Sequence, residues 1–217
     1  MPFSSVLGAS SVIKPGVCTS STRPSVPYEG QLIYETDTDS VASWNGSAWV
    51  YTHSSGLVYL TSASFTTSSA VAFASGVFTS TYQYYRVLFE FVSSADCTLA
   101  CQVNASGVAR TASNYFGFRY DIRANVAVTG IGTSSHSLMA ADVNSPSHNT
   151  FSIDVMNPTN ASVKTSWHGT FYGANASGTF DGGPTSSIYN VAEANDGFTF
   201  TPSTGTITGS YKVYGYR

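Results

Sequence analysis

The chain has 217 residues, of which 10% are charged and 14% are Phe, Trp or Tyr, and its formal net charge is -3. A chain so rich in aromatic residues and so poor in charge is not intrinsically disordered. Its charge balance supplies no basic surface for nucleic acid, and no apolar run approaches the roughly 18 residues of a membrane span. We therefore expect a globular protein without a nucleic-acid partner and without a membrane span.

The first 27 residues predict an extended N-terminal arm. They contain Pro15, Pro24 and Pro27, several Ser and Thr residues, and no sustained hydrophobic period. Proline fixes the backbone in extended or turn conformations and interrupts regular structure. Because such a segment buries little of its own surface, we expect residues 1–27 to lie on another protein and to act as a docking arm.

Residues 28–56 predict a small three-stranded β-meander, with strands at 31–35, 41–44 and 48–52. The dipeptide Asn45-Gly46 predicts a type I′ hairpin turn between the second and third strands. Three short strands cannot bury both faces alone. We therefore expect the meander to pack on the main domain, on another subunit or on a docking platform, through four proposed docking and oligomerisation residues: Trp44, Trp49, Tyr34 and Tyr51.

Residues 57–217 predict an antiparallel β-sandwich, preceded by the arm and the meander. The segments YYRVLFEFV (84–92), CTLACQV (97–103) and FSIDV (151–155) alternate apolar and polar residues with the period of a strand. Further strands are predicted at 115–122, 137–143, 163–172, 188–192, 197–201 and 206–214, and no segment has a convincing helical period. The all-β fold class that we predict is a two-sheet sandwich resembling a jelly roll.

Three cysteines, Cys18, Cys97 and Cys101, are an odd set and do not predict a disulfide framework. On one extended strand, Cys97 and Cys101 would lie about 13 Å apart, which is too far for a disulfide. We expect both to be small core residues of a protein made in a reducing compartment.

The sequence predicts no catalytic, cofactor-binding or metal-binding residues. We expect Glu90 to form a charge pair with Arg86 on the same strand, and Asp181 and Asp196 to be turn residues whose side chains bind nearby backbone. His168 has no second ligand at metal spacing. The sequence contains no G-x-S-x-G elbow and no glycine-rich phosphate loop. We therefore expect a protein that is not an enzyme and needs no cofactor.

Two segments resemble bacteriophage proteins. The segment YEGQLIYETDTDSVASWNGSAWVY, with the arm before it, resembles the leading segment of structural proteins of tailed bacteriophages. The segment DGFTFTPSTGTITGSYKVYGYR is similar to the closing strands of phage fibre and capsid-decoration domains. The resemblance implies a homotrimeric virion protein that is synthesised and assembled in the host cytoplasm and binds other virion proteins, of the tail or the major capsid.

Two functions follow from this resemblance. In the first, the protein is a tail fibre or receptor-binding protein, docked by its N-terminal segment, with the sandwich exposed to a host-surface glycan or protein. In the second, it is a capsid decoration, or cement, protein whose arm and trimeric sandwich stabilise the head shell. We favour the fibre, because similar leading segments precede different C-terminal β domains in such families.

Overall fold

The computed structural model describes residues 15–51, 56–119, 129–175 and 177–216. Every regular element in these residues is a β-strand, so the all-β prediction is confirmed, and no helix among them could cross a membrane. The chain divides into two compact units, unit 1 (Met1–Ser55) and unit 2 (Gly56–Arg217). Residues 1–14 of the predicted arm, together with Thr52 and His53, lie outside the described residues.

Unit 1 contains one four-stranded sheet in the order β1-β2-β3-β4. The strands are β1 (Gly16–Cys18), β2 (Leu32–Glu35), β3 (Ser40–Trp44) and β4 (Trp49–Tyr51). The strand β1 pairs in parallel with β2, whereas β2–β3 and β3–β4 are antiparallel. The meander therefore has three strands as predicted, and the predicted arm adds a fourth. A strand of three residues is too short to show a hydrophobic period, which explains why the sequence pattern missed β1.

The connection between β3 and β4 differs from the predicted type I′ turn. Trp44 pairs directly with Trp49, so the loop contains four residues. Gly46 has a φ of 93°, but Asn45 does not have the positive φ that a type I′ turn requires. The Asn45 side-chain oxygen accepts hydrogen bonds from the backbone N–H groups of Ser47 (3.0 Å) and Ala48 (2.8 Å). This local hydrogen bonding stabilises the longer loop.

Unit 2 is a β-sandwich, as the sequence predicted. Its large sheet has the order β11-β10-β15-β14-β13-β7-β17-β5, and its small sheet has the order β12-β8-β16-β6, with β9 pairing β8. The strands are β5 (Leu57–Ser68), β6 (Val71–Ala72), β7 (Tyr84–Ser93), β8 (Cys97–Ala105), β9 (Val108–Ala109), β10 (Tyr115–Arg119), β11 (Thr129–Ser134), β12 (Ser137–Val143), β13 (His148–Met156), β14 (Lys164–Ala174), β15 (Phe180–Ala192), β16 (Gly197–Pro202) and β17 (Ile207–Tyr216).

The strand pairing of unit 2 follows one symmetrical rule. Four early strands pair with four later strands in reverse order: β5 with β17, β6 with β16, β7 with β13 and β8 with β12. All four pairs are antiparallel, so the unit is a folded double ribbon of strands. The pairs β10–β11 and β14–β15 are inserted into this ribbon and extend the large sheet beyond β13.

The core of unit 2 lies between the two sheets, and the predicted alternation is confirmed there. Tyr85, Val87, Phe89 and Phe91 of β7 are at most 2% exposed. From β8, four side chains face inward to meet them: Cys97, Leu99, Cys101 and Val103. The ring of Phe89 stacks on that of Phe151 at 4.8 Å. Burial raises the pKa of the Cys97 and Cys101 thiols, as expected for unreactive core cysteines.

Candidate functional site

The four predicted docking residues lie on two different faces of the unit 1 sheet. The strand register places Trp44 opposite Trp49 and Ala42 opposite Tyr51, so both tryptophans and Tyr51 share one face. Tyr34 pairs with Val41 and lies on the other face. The structure therefore brings together three of the four residues, and the four-residue loop that places Trp44 opposite Trp49 differs from the predicted turn.

The two tryptophans form a half-buried aromatic pair at the end of the unit 1 sheet. Their ring centroids are 5.6 Å apart and their planes meet at 61°, an edge-to-face arrangement. Both rings keep part of their surface exposed. This pair is therefore a preformed contact of rigid aromatic surface, of the kind enriched at protein interfaces.

A buried carboxylate organises the same face of unit 1. The side chain of Glu35 has no exposed surface and accepts hydrogen bonds from Arg23, from the Tyr51 hydroxyl at 3.0 Å and from the Thr38 hydroxyl at 3.0 Å. The hydrogen bond from Arg23 is the main reason why the pKa of Glu35 lies below its ordinary value. The segment predicted as an extended docking arm is thus tied to the unit 1 sheet through Arg23.

The other face of unit 1 exposes apolar side chains. Val17 is 69% exposed, Leu32 41% and Val50 45%, and the strand register places all three on the face of Tyr34. One face of the unit 1 sheet therefore carries the Arg23–Glu35 ion pair, whereas the opposite face presents an apolar surface.

In unit 2 the outer face of the large sheet, which points away from the small sheet, collects exposed apolar residues. Within the described part of unit 2, eight of the ten exposed large apolar side chains lie on this face. They are Leu57, Tyr59, Tyr84, Leu88, Phe116, Phe118, Tyr172 and Phe180. Apolar residues concentrated on one face of a soluble domain are typical of binding surfaces.

A groove of about 320 Å³ crosses this outer face over β17, β7, β13 and β14. Two rows of outward side chains line it, and cross-strand pairing fixes both rows. The first row is Tyr172, Thr150, Glu90 and Ser210, and the second is Thr170, Ser152, Leu88 and Lys212. On β13 each row has a short residue with a hydroxyl group, Thr150 or Ser152, so the longer side chains of Tyr172, Glu90 and Leu88 on the neighbouring strands form the walls of the groove.

Glu90 occupies a different position from the one expected. Its carboxylate accepts a hydrogen bond from the Ser210 hydroxyl at 2.7 Å and lies 3.6 Å from Nε2 of His148. It does not pair with Arg86, because residues four apart on a strand are separated by about 13 Å. The expected pair with Arg86 is therefore wrong, and the Glu90 carboxylate lines the groove instead.

Arg86 pairs across the strands with Asp154. Its Nε and Nη2 atoms donate to the two carboxylate oxygens at 2.8 and 2.6 Å, and the Tyr216 hydroxyl donates to the same carboxylate at 2.6 Å. Partial burial raises the pKa of Asp154, but the hydrogen bonds from Arg86 and Tyr216 outweigh this effect and bring the pKa below its ordinary value. This cluster is a rigid, charge-compensated border beside the groove.

Ser186, His168 and Asp154 follow one another across β15, β14 and β13. Among the described residues, His168 makes no hydrogen bond to Ser186 or to Asp154, whose oxygens are bound by Arg86 and Tyr216. A nucleophile and its base need mutual hydrogen bonds. In this structure, the row therefore does not have the geometry of a catalytic triad.

The other acidic residues singled out from the sequence have structural contacts. Asp181, predicted in a turn, is fully buried within β15, because the pairing with β14 continues through Gly173. Asp196 accepts hydrogen bonds from the Ser75 hydroxyl at 2.7 Å and from the Gly107 N–H at 2.9 Å, so it joins distant loops. In the part of the chain that the structure describes, no group of three His, Cys, Asp or Glu side chains converges as a metal site.

Comparison with known proteins adds no family to this description. No protein-family model matches the sequence, and no curated protein matches it significantly. The functional argument therefore depends on the fold, on the surfaces of the two units and on the resemblance of the two segments described above.

Proposed function

We propose that this protein is a non-enzymatic bacteriophage virion surface protein, a tail fibre or receptor-binding protein that contacts the host surface through unit 2. The observation that carries the proposal is the groove on the outer face of the large sheet. It combines hydroxyl groups, one carboxylate, one ammonium and an exposed tyrosine ring in a single concave surface. In ligand-binding sites, a small number of such polar groups fixes the orientation of the ligand, while the aromatic and aliphatic surface supplies contact area.

The lining of the groove fits a carbohydrate. Tyr172 is 63% exposed and its ring is held edge-on by Phe180 at 5.0 Å, so a sugar ring can stack on a fixed aromatic face. Thr150, Ser152 and Thr170 offer hydroxyl groups that both donate and accept. Glu90 and Lys212 at the margin add a charged acceptor and a charged donor. A host-surface glycan is therefore the ligand class that we propose.

The strand pairing of unit 2 supports the virion proposal. We infer that the double ribbon of β5–β8 with β12, β13, β16 and β17 is a jelly roll, in which two hairpins have been inserted. Jelly rolls occur in viral capsid proteins and in lectins. Because one fold serves many functions, this likeness supports the proposal at the level of architecture, and the groove supplies the specific argument.

Unit 1 is the proposed docking element. The tryptophan pair occupies one of its faces, and the other presents Val17, Leu32 and Val50 beside Tyr34. Apolar surface of this kind is buried when a partner binds. The proposed partner is another virion protein of the tail.

The proposal is tested by electron microscopy of intact particles with an antibody against this protein. Label confined to the tail is the expected result, and glycan binding by the purified full chain is then measured. Label spread over the head would overturn the fibre proposal.

The second candidate is a capsid decoration protein. The eight exposed apolar side chains on one sheet face favour it, because contact with neighbouring subunits in a shell would cover them. A gel of purified particles separates the two candidates. A decoration protein approaches the copy number of the major capsid protein, whereas a tail protein is present in a few copies per particle.

A further inference from the structure

The strand β5 is a long free edge of the large sheet. It has 12 residues and pairs on one side with β17. In the described residues, no backbone hydrogen bond joins its other side to another segment. A free edge exposes a row of N–H and C=O groups that can pair with a strand from another chain. The edge of β5 is therefore a potential interaction surface.

The sequence of β5 lacks the usual protection against such pairing. Its residues, LVYLTSASFTTS, include no charged residue and no proline. Proteins commonly protect edge strands by charges, by proline or by keeping them short. The edge strand β6 has two residues, β1 and β4 have three each, and β12 includes Asp142. Compared with these edge strands, β5 is both long and uncharged.

The open part of this edge centres on Ser64. Pairing with β17 is regular from Thr61 to Phe65, and irregularities flank this run on both sides. Ser62, Ala63, Ser64 and Thr66 are all exposed. The segment Ser75–Thr79 lies near β5 at Leu60 and Thr61, before this exposed run begins. A second strand can therefore approach from Ser62 onward.

We propose that two copies of this chain pair antiparallel through β5, with the twofold axis at Ser64, an assembly that differs from the homotrimer implied by the resemblance. In this register Ser64 faces Ser64 of the second copy, Ala63 faces Phe65, and Ser62 faces Thr66. The pairing joins the two large sheets into one continuous sheet. It is independent of the proposed glycan groove, because the open edge would exist whatever the ligand.

The composition of β5 favours a second copy of this chain as the partner that pairs with the β5 edge. In a twofold contact, β5 of one copy pairs with β5 of the other copy. A charged residue near the axis would then face a residue of the same charge, and this repulsion would destabilise the dimer. Because β5 has no charge, no such repulsion arises. Six of its twelve residues are Ser or Thr, whose hydroxyl groups form favourable cross-strand pairs. Twofold dimers are also the commonest symmetrical assembly of soluble proteins.

The first test is sedimentation equilibrium of the full chain. We expect a concentration-dependent species with twice the 22.9 kDa mass of one chain. Ser64→Lys places two ammonium groups face to face, so dimerisation should weaken at least about tenfold. Thr170→Lys adds the same charge on the same sheet face in an interior strand and should leave dimerisation unchanged. A monomer at all concentrations, a trimer, or a dimer insensitive to Ser64→Lys would overturn the proposal.

The second test does not depend on a destabilising charge. In a Cys18→Ser background, Ser64→Cys should form a disulfide-linked dimer under mild oxidation, because facing residues of antiparallel strands lie about 5 Å apart. Ser62→Cys is the matched control. Its two copies would be roughly 13 Å apart, beyond the reach of a disulfide. Equal cross-linking by the two variants, or cross-linking by neither, would overturn the pairing at Ser64.

Discussion

Arg23 donates a hydrogen bond to Glu35, whose side chain has no exposed surface, across twelve residues of chain in unit 1. The Tyr51 hydroxyl connects the two groups, since it accepts from Arg23 at 3.1 Å and donates to Glu35 at 3.0 Å. A buried charge with this many partners fixes the chain path before β2 and the end of β4 at the same time. The network therefore determines how unit 1 is closed.

Replacing Glu35 by Gln should destabilise unit 1. The variant leaves the Arg23 guanidinium, which is 30% exposed, without its carboxylate, and the loss of a hydrogen bond to a charged group costs about 2 kcal/mol. The measurement is chemical denaturation of the full chain followed by tryptophan fluorescence in a Trp167→Phe background, in which Trp44 and Trp49 of unit 1 are the remaining tryptophans. Glu29→Gln, at an exposed position, is the control and should change little. Equal stability of the two variants would contradict the role given to the network.

The same network should make unit 1 sensitive to acid. The pKa of Glu35 is lower in the folded chain than its ordinary value of about 4.3. The stability that depends on the ionised carboxylate is therefore complete above the unfolded pKa and is lost as pH falls through the folded pKa. Denaturation curves between pH 7 and pH 2 should show this loss in the natural chain. Glu35→Gln should lack this component, and a parallel loss in both chains would contradict the prediction.

Replacing both Trp44 and Trp49 by Ser should abolish docking. The substitution removes an edge-to-face pair worth about 1 kcal/mol beyond its buried area, together with the aromatic surface of that face. Incorporation of the variant into particles should fall, while unit 2 remains folded by circular dichroism. Tyr28→Ser, which alters an exposed aromatic residue in the same unit, is the control. Unchanged oligomeric state and unchanged incorporation of the double variant would disprove the docking role.

Replacing Tyr172 by Ala should weaken glycan binding. The ring is the exposed aromatic platform of the groove, and loss of one stacking contact of about 1 kcal/mol lowers affinity roughly fivefold. Glycan-array binding followed by calorimetry on the best ligand measures the effect. Tyr84→Ala removes an exposed ring from the same sheet face outside the groove and should bind normally. Equal losses in the two variants would show that the groove does not select the ligand.

Replacing Gly209 by Ala should destabilise unit 2. A Cβ atom at this position would lie 2.0 Å from the Glu90 carbonyl oxygen and 2.8 Å from the Phe91 Cα atom. Both atoms belong to the backbone of the paired strand β7, so relief requires the strands to separate, at a cost of about 2 kcal/mol. Thermal unfolding measures the effect. Gly16→Ala, where the new atom meets Ile33 at 3.8 Å, should have little effect.

The sequence predicted those parts of the fold that local alternation determines. The inward residues of β7, β8 and β13 follow a strict period of two, so their burial could be predicted without knowing their partners. Pairing between distant strands leaves no such pattern. The double ribbon, including the pairing of β5 with β17, is therefore visible in the structure and not in the sequence.

The candidate site was predictable only in part for the same reason. Glu90 and Arg86 share a strand face, which suggested a pair between them, but their real neighbours come from β17 and β13. Tyr172 lay in a predicted strand without any signal that its ring would border a groove. The buried contact of Arg23 with Glu35 was missed because Arg23 lies in a segment without any periodic pattern.

The pairing of β5 with β17 also determines when the large sheet can form during synthesis of the chain. Leu57 of β5 pairs with Tyr216 of β17. The partner of β5 in the large sheet is therefore absent until β17 has left the ribosome. The large sheet of unit 2 can therefore be completed only after β17 has been synthesised, and the many contacts between distant residues favour slow folding. Because β17 lies between β5 and β7, a chain that stops before Ile207 would leave both strands without their shared partner and vulnerable to aggregation.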